Sequence, residues 1–308
     1  MNDLFIYSFY RFKGLKNINQ IKKTIDIFLK KKKIRGTILV AKEGINGSIS
    51  GSKNELDNSL KFIKSVLNIR KLNMKVNYNK FHPFNRMKVR IKKEIVSLGK
   101  GNFNVNNLKG KSINPEEWNN IISEKNTKII DVRNQFEIGI GRFSNSLNPK
   151  TNSFRDFPDA IKRMKIKKQD KIAMYCTGGI RCEKASSYLR LIGYKNVYQL
   201  NGGIINYLQY MKTKNKKTLW EGECFVFDDR VTIDKNLSKG KYIQCYGCRR
   251  PITMEDTKSN FYRKGVNCPY CYKERSIEQK HNSLIRQTQI DDAEKLKLNH
   301  PFKKNYKL

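Results

Sequence analysis

A cysteine followed by two glycines and an arginine is the part of this sequence best suited to covalent chemistry. The segment CTGGIRC, residues 176–182, follows the apolar run IAMY and precedes a helical pattern that begins near Glu183. At a strand-to-helix turn, backbone amides and the positive end of the helix converge on one point and stabilise an anion there. The usual thiol pKa of about 8.5 is lowered in such a place, and Arg181 adds to the effect. We therefore predict that Cys176 is a thiolate nucleophile.

The rest of this loop is predicted to hold the sulfur group. Gly178 and Gly179 let the backbone curl without obstruction by side chains. The predicted anion-cradling residues are Thr177, Gly178, Gly179 and Ile180. The alternative is a buried, inert core cysteine, the more common fate of a lone intracellular cysteine, but the glycines and the arginine favour a reactive one. Cys182 is either a resolving thiol for an oxidised Cys176 or a helix-packing residue, which we favour, and Cys224 is expected in the core.

Four further cysteines form two CxxC pairs with the spacing of a metal site. Cys245 pairs with Cys248 and Cys268 with Cys271, and 19 residues separate the two pairs. That separation fits a four-cysteine zinc ribbon or treble clef, in which the metal folds a module with little core of its own. Four thiolates occupy all four coordination positions of a tetrahedral ion, so zinc at this site is predicted to have a structural role. The surrounding basic residues either grip RNA or form solvated surface charge; they are Arg249, Arg250, Arg263, Lys264, Lys273 and Arg275.

The chain is strongly basic, with 64 Lys and Arg against 27 Asp and Glu over 308 residues, a formal net charge of +37. Such a charge favours polyanions, because basic groups that neutralise phosphates release counterions. An AT-rich genome would also enrich Lys, Asn and Ile, so charge alone does not identify RNA. The first residues lack a secretion signal, and no apolar run approaches the roughly 18 residues of a membrane span. We therefore predict a cytoplasmic protein with no membrane partner.

The elements that position these cysteines follow from hydrophobic periodicity. Residues 1–100 show the order βαββαβ, which predicts a ferredoxin-like sandwich. The predicted strands are 4–12, 36–41, 46–50 and 72–76, and the predicted helices are 18–29 and 56–67. A half-solvated strand is predicted at 87–96, and the polar stretch 101–112 is predicted to be a linker.

From about residue 113 the pattern changes to alternating short strands and helices, which predicts a parallel α/β sheet. The segments concerned are 128–132, 161–164, 171–175, 183–191 and 197–200. The predicted second domain spans 113–215, and residues 216–308 are predicted to be a small, basic, cysteine-rich module similar to a zinc ribbon. The fold class is therefore α/β.

Three motifs resemble, in order, those of the rhodanese family. They are DVRNQFEIGIGRF at 131–143, the CTGGIRC loop, and NVYQLNGGIINY at 196–207. The resemblance implies a rhodanese domain in which Cys176 carries sulfur as a persulfide held by the loop amides. Related phosphatases have five residues between the cysteine and the arginine; the four found here suit a persulfide. Arg142 replaces the histidine usual in the first motif, at a position that is structural in the family.

Further motifs extend the resemblance along nearly the whole chain. AKEGINGSISG at 41–51, FHPFNRMKVRIKKEIVSLG at 81–99, SFRDFP at 153–158 and WEGECFVFDDRV at 220–231 resemble the oxygen-dependent tRNA uridine hydroxylases. This resemblance implies hydroxylation of the wobble uridine at C5 to 5-hydroxyuridine, with molecular oxygen and a reductant as co-substrates. It also implies Cys176 and Arg181 as catalytic residues, the tRNA anticodon arm as the bound partner, and a sulfur donor protein as a second one.

Two other functions stay open at this point. A sulfurtransferase would pass persulfide sulfur to cyanide, a protein thiol or tRNA without oxygen, and an RNA-binding adaptor would use the rhodanese domain as a scaffold. The residues themselves do not reveal an oxygen site, because His82, His281 and His300 lie outside any H-x-D/E pattern. There is also no GxGxxG after a strand to indicate a flavin or nicotinamide fold. His82 is expected to be a structural loop residue.

Overall fold

The computed structural model describes residues 4–79, 81–101, 103–298 and 300–302. Residues 1–3 and 303–308, which the predicted domains include, lie outside the described residues. Two compact units are present. The first contains the described residues up to Cys224 together with Asp234–Ser238, and the second contains Phe225–Ile233 and the described residues from Lys239 onward. Within these ranges no helix has the length and apolar character needed to cross a bilayer.

The first unit begins with a five-stranded sheet covered by two helices. Its elements are β1 (Leu4–Phe12), α1 (Ile18–Lys30), β2 (Arg35–Ala41), β3 (Gly44–Gly51), α2 (Lys53–Val66), β4 (Asn73–Asn79) and β5 (Met87–Ile91). The strand order is β4-β1-β3-β2-β5, and only the β2–β5 pair is parallel. The first six elements have the predicted order, and the ferredoxin-like sandwich is confirmed.

The two faces of this sheet differ, because successive side chains of a strand point to opposite sides. Tyr7 and Phe9 of β1 face the helices and belong to the apolar core of the sandwich. Tyr10 lies on the opposite face and packs with Val105 and Ile180, which follow later in the chain. Lys75 of β4 lies directly opposite Ser8 and so also belongs to this second face. The second face therefore meets the half of the unit that carries the reactive loop.

Two expectations for the segment between the sheets were wrong. The predicted strand 87–96 ends at Ile91, because the Glu94 carboxylate accepts hydrogen bonds from the amides of Leu98 at 2.8 Å and Gly99 at 3.1 Å and closes a loop. The predicted linker 101–112 contains α3 (Val105–Leu108) and the start of β6 (Lys111–Ile113). Val105 is buried and makes this short helix part of the core.

The second half of the first unit is a parallel α/β structure, as predicted. Its further elements are α4 (Pro115–Ser123), β7 (Thr127–Asp131), α5 (Gln135–Ile138), β8 (Gly141–Phe143), α6 (Phe157–Arg163), β9 (Lys171–Tyr175), α7 (Ile180–Leu191), β10 (Val197–Leu200), α8 (Gly203–Thr213) and β11 (Trp220–Gly222). The sheet order is β6-β10-β9-β7, with all pairs parallel, and β8 and β11 form a separate antiparallel pair. Strand β9 is apolar because a parallel sheet is covered on both faces. Its carboxyl end is the kind of edge where such sheets bind ligands.

The second unit has little regular structure apart from one long helix. Its elements are β12 (Cys224–Phe225, which begins in the first unit), β13 (Thr232–Ile233), β14 (Ile243–Gln244), β15 (Pro251–Ile252) and α9 (Ile277–Lys295). Strands β14 and β15 pair antiparallel beside a small core that contains three of the paired cysteines and Ile252. The sequence analysis missed α9, although Ser276 and Gln279 form a capping box at its start.

Candidate active site and metal centre

Cys176 lies immediately after β9, at the turn that leads into α7. Its side chain is fully buried. Gly179 adopts a positive φ of 96° at the start of α7, a conformation that glycine reaches at little cost. The backbone N–H of Gly179 donates to Cys176 Sγ at 3.1 Å. The sulfur thus lies at the amino end of a helix, where an anion is stabilised.

The surroundings of Cys176 favour its ionised form. Burial by itself would raise the thiol pKa, but a hydrogen bond from the Cys182 thiol, the charge of Arg181, and the backbone amides of Cys182 and Gly179 outweigh it. Together they lower the pKa of Cys176 from 9.0 to about 6. Burial and the neighbouring Cys176 sulfur raise the pKa of Cys182 well above its ordinary value. At neutral pH, Cys176 is therefore a thiolate and Cys182 a neutral donor.

Arg181 is held beside the loop by a buried carboxylate. Its Nη1 and Nη2 donate to the two carboxylate oxygens of Glu137 at 2.6 and 2.8 Å, and Nη2 also donates to Thr177 Oγ1 at 3.2 Å. Paired, two-point contacts of this kind fix the plane of a guanidinium. Arg181 therefore braces the loop as well as contributing charge to it. Its predicted part in cradling an anion stays a prediction.

Glu137 is a site residue that the sequence analysis did not single out. It lies in α5 and is fully buried. Burial would raise its carboxyl pKa, but Arg181 and then Arg133 hold that pKa below the ordinary value. Arg133 is itself buried against Asp131, with Nη2 and Oδ2 2.6 Å apart, and it donates to the Glu137 carbonyl at 3.1 Å. Asp131, Arg133 and Glu137 all belong to the motif at 131–143, which was the available signal.

Gly202 and Gly203, at the start of α8, pack against the backbone of the reactive loop. The amide of Ile204 donates to the Cys176 carbonyl at 2.9 Å. Gly203 has a φ of 69°, and a Cβ built there would collide with the Cys176 carbonyl oxygen and lie 2.8 Å from that of Thr177. The carbonyls of the loop are therefore turned toward the protein. A Cβ built on Gly178 would meet no described atom within 4 Å, so the loop is open at that residue.

The ferredoxin-like sheet also contributes to the site. Tyr10 Oη and Asn73 Nδ2 donate to Glu183 Oε1 at 2.9 and 3.1 Å, which fixes the first turn of α7 to β1 and β4. Lys184 is buried on the same helix and pairs with Glu43 at 2.7 Å and with Glu94 at 2.5 Å. None of these residues was predicted, because their partners lie far away in the sequence.

The four paired cysteines meet in the second unit with the geometry of a metal site. Their sulfur atoms all lie within 4.8 Å of one another. The sulfur atoms of Cys245 and Cys271 are 4.0 Å apart, those of Cys248 and Cys268 are 3.9 Å apart, and those of Cys268 and Cys271 are 3.7 Å apart. A tetrahedron with Zn–S bonds of about 2.3 Å has edges of about 3.8 Å. The cysteines therefore fit one tetrahedral ion of that size.

Several of the basic residues around these cysteines are engaged within the module. Arg250 pairs with Glu274 at 2.9 Å, Lys264 pairs with Asp291 at 3.1 Å, and Arg275 donates to Ser283 Oγ at 2.7 Å. The other basic residues, Arg249, Arg263 and Lys273, are exposed. Part of the predicted basic surface is therefore structural, and part is accessible.

The remaining predicted residues take the expected places. His82 Nδ1 lies 3.0 Å from Ser50 Oγ, and burial together with the charge of Arg35 lowers the pKa of His82 to about 4. It is a neutral residue of the loop that precedes β5. Cys224 is fully buried, and burial raises its thiol pKa to about 12. Cys182 is part of the core behind the loop as well as a neighbour of Cys176.

Comparison with known proteins adds family relationships to this geometry. Residues 4–95 match the model of the UPF0176 acylphosphatase like domain, and residues 114–209 match the Rhodanese-like domain. A rhodanese-related protein from Thermoplasma volcanium covers 32% of this chain and 92% of its own, with 27% identity and a TM-score of 0.28. A rhodanese-like domain protein from Staphylococcus aureus covers 32% of this chain and 90% of its own, with 26% identity and a TM-score of 0.28.

One similarity extends over both units. A protein of Pelagibacter ubique (strain HTCC1062), named tRNA uridine(34) hydroxylase, is 44% identical over 303 residues, which are 98% of this chain and 99% of that protein. The chain belongs to the tRNA uridine(34) hydroxylase family.

Proposed function

We propose that this protein hydroxylates the wobble uridine of tRNA at C5, giving 5-hydroxyuridine, with Cys176 as the catalytic centre. One observation carries the proposal: an ionised sulfur, held by a helix amino end, lies in a chain that aligns over 98% of its length with a tRNA uridine(34) hydroxylase. An activated thiolate is a nucleophile at neutral pH. Cytoplasmic tRNA is the substrate, and its anticodon arm is the part that the enzyme must hold.

The reaction requires oxygen and an electron source. Replacing the C5–H bond by C5–OH uses one O₂ and two electrons with two protons, and it releases one water. The reductant that supplies the electrons is a co-substrate. In the proposal Cys176 acts as thiolate, or as persulfide after charging by a sulfur donor protein. The amides of Thr177, Gly178, Gly179 and Ile180 cradle that sulfur, and Arg181 supplies positive charge beside it.

The tRNA has a polar path to this loop across the ferredoxin-like sheet. A row of facing residues crosses all five strands in the order Lys75, Ser8, Ser48, Thr37 and Lys88. The two serine hydroxyls lie 2.7 Å apart, and Thr37 and Lys88 beside them are partly exposed, whereas the Lys75 ammonium is shielded from solvent. The hydroxyls and Lys88 are typical contacts to phosphate and ribose. This row supports an RNA-binding role for the N-terminal region.

Each of the three predicted regions has its own role in this proposal. Region 1–100 contacts tRNA, region 113–215 carries the chemistry, and region 216–308 is held by structural zinc on Cys245, Cys248, Cys268 and Cys271. The exposed Arg249, Arg263 and Lys273 of the last region add phosphate contacts. Zinc there would be a structural ion, because four sulfur ligands leave no open position.

The test is genetic complementation with nucleoside analysis. A strain that lacks its own family member receives the wild-type gene, Cys176→Ala, or the control Ser59→Ala, which changes a buried small polar residue of α2 whose hydroxyl donates to Glu55 O in its own helix. Wild type and the control should restore 5-hydroxyuridine, and Cys176→Ala should not. Full restoration by Cys176→Ala would contradict the proposal.

A sulfurtransferase is the second candidate, favoured by the same low pKa of Cys176 in a persulfide-type loop. It would add sulfur to its acceptor without oxygen. Mass spectrometry of the tRNA nucleosides separates the two functions, because a hydroxylase adds the mass of oxygen and a thiolating enzyme exchanges oxygen for sulfur.

A further inference from the structure

Lys75 of β4 is a lysine whose ammonium group lacks a partner. Its Nζ is shielded from solvent and has no hydrogen-bond acceptor among the residues that the structure describes. Burying such a charge is strongly unfavourable unless something in its surroundings compensates. An unpaired buried cation therefore needs an explanation, and its position in the fold supplies one.

The sheet directs Lys75 at the reactive loop. It shares a face of β4 with Asn73, which binds Glu183 at the start of α7. A Cβ built on Gly202 would lie 2.5 Å from Lys75 Nζ. Gly202 immediately precedes Gly203, which packs against the Cys176 carbonyl. The absence of a side chain at position 202 is thus what lets the ammonium reach the segment that supports the loop.

The charge balance around Cys176 leaves room for one more cation. The buried charges of the loop form two neutral pairs, Asp131 with Arg133 and Glu137 with Arg181. An ionised Cys176 would add a single negative charge to a sum of zero. An opposite charge placed nearby stabilises that ion. Lys75 is a buried cation in this region that belongs to neither of those two pairs.

The titration of the two groups agrees with this arrangement. Burial lowers the pKa of Lys75 to about 7, and the negative charges of Cys176 and then Cys224 oppose that decrease. Cys224 is neutral at pH 7, since its own thiol pKa is raised to about 12. The anion that Lys75 meets at neutral pH is therefore Cys176.

We propose that Lys75 is the counter-cation of the sulfur group on Cys176, so that the ferredoxin-like domain completes the active site of the rhodanese domain. The ammonium keeps the thiolate, and the persulfide formed from it, in the ionised state. The importance of this pairing for catalysis rests on the function proposed above. Its effect on the Cys176 thiol does not, and can be measured without tRNA or oxygen.

Other titratable groups lie beside Cys176 or beside its neighbours and must be kept constant in a test. Arg181 and Cys182 of α7 and the hydroxyl of Tyr10 act on Cys176 itself, while Glu183 binds Tyr10 and Cys224 lies beside Thr177. Burial and then Glu183 raise the pKa of Tyr10, so it stays neutral throughout the range of interest. A substitution confined to Lys75 leaves all of them in place.

The experiment measures the rate at which iodoacetamide alkylates Cys176 as a function of pH, read by peptide mass spectrometry in the full-length, metal-loaded protein. The variants are Lys75→Met, Lys75→Gln and Lys75→Arg, and the control is Lys71→Met, an exposed lysine just before β4. We expect both neutral variants to raise the midpoint by about half a pH unit. At pH 6 this corresponds to alkylation about two-fold slower. Lys75→Arg and the control should keep the wild-type midpoint.

Thermal melting separates this effect from misfolding. Because Lys75 Nζ makes no hydrogen bond to a described residue, its removal should leave the melting temperature unchanged or raise it. An unshifted midpoint in folded Lys75→Met or Lys75→Gln would overturn the proposal, and so would a midpoint raised equally in Lys75→Arg. The failure of the hydroxylase function would look different: Cys176→Ala would stay active while the midpoint still depended on Lys75.

Discussion

The reactive loop at Cys176 and the cluster of four paired cysteines both hold buried sulfur, and their comparison shows how the surroundings decide what the sulfur does. Both settings place a sulfur next to a backbone donor: Gly179 N–H for Cys176, at 3.1 Å, and Cys268 N–H for Cys271, at 3.3 Å. Around Cys176 the neighbours are charged pairs and one neutral thiol, which stabilise a lone anion. Around Cys271 the neighbours are the sulfurs of Cys268 at 3.7 Å and Cys245 at 4.0 Å, which suit a shared cation. The first arrangement creates a nucleophile and the second a ligand set.

Metal removal should have the largest effect on stability, and the loss should be confined to the module that holds the four paired cysteines. Structural zinc contributes about 10–16 kcal/mol to small zinc modules, which exceeds what the small core around Ile252 can supply. We expect one zinc per chain by elemental analysis. A strong chelator, or Cys268→Ser, should abolish amide protection in β14 and β15 measured by hydrogen exchange. Amides of β9 serve as the internal control. Unchanged protection in metal-free protein would contradict the structural role.

Glu137→Gln should strongly destabilise the protein at the reactive loop around Cys176. It leaves the buried Arg181 guanidinium without its charge partner, which typically costs about 3–5 kcal/mol. Glu124→Gln is the matched control, because it breaks an ion pair with Lys171 that is about half exposed, and such pairs contribute about 0–1 kcal/mol. Urea denaturation measures both. Equal losses in the two variants would show that the Glu137–Arg181 pair is not needed to hold the loop.

Gly203→Ala should have an intermediate effect on the loop. The new methyl group would collide with the Cys176 carbonyl oxygen at a φ of 69°. Gly193→Ala is the control, because its φ of 94° brings the same backbone strain while no described atom lies within 4 Å of the new Cβ. Strain alone costs about 1–3 kcal/mol. We expect Gly203→Ala to lose more stability than the control and to slow alkylation of Cys176. Identical behaviour of the two variants would refute the proposed support.

Cys182→Ala should have the smallest effect on stability. It removes the hydrogen bond from the Cys182 thiol, which is the largest of the contacts that lower the pKa of Cys176. Hydrogen bonds to charged groups contribute about 1.5–3 kcal/mol, so the pKa of Cys176 should rise by about one to two units. Activity should stay within a few-fold of wild type if Cys182 is a packing residue. After mild peroxide treatment, peptide mass spectrometry should show similar Cys176 oxidation with and without Cys182. A Cys176–Cys182 disulfide in the wild type would instead establish the resolving role.

The sequence was sufficient for the parts of the structure that depend on neighbouring residues. The order βαββαβ follows from alternation and helical spacing, and the turn at Cys176 follows from apolar residues, glycines and a helix start in immediate succession. Strand 87–96 was overextended, because its alternation continues past Ile91 into a loop that only the Glu94 carboxylate closes. Helix α3 was missed, since its four residues are too few to show a period.

The residues that complete the site could not be found in this way. Glu137 acts on Arg181 from 44 positions away, and Tyr10 binds Glu183 across 173. Lys75 looks like any lysine of a polar strand until β4 is paired with β1. These contacts depend on how two sheets meet, which hydrophobic periodicity does not encode. Conversely, the CxxC pairs were found from the sequence, because their spacing alone predicts a common ion.

The most direct test of the central claim is reconstitution with purified, metal-loaded protein, undermodified tRNA, a two-electron reductant and oxygen labelled with the heavy isotope. The wobble nucleoside is then analysed by mass spectrometry. We predict that wild type incorporates one labelled oxygen atom into uridine and that Cys176→Ala incorporates none. A gain of sulfur in place of oxygen, or labelled product from Cys176→Ala, would contradict the assignment of Cys176 as the catalytic centre of a hydroxylase.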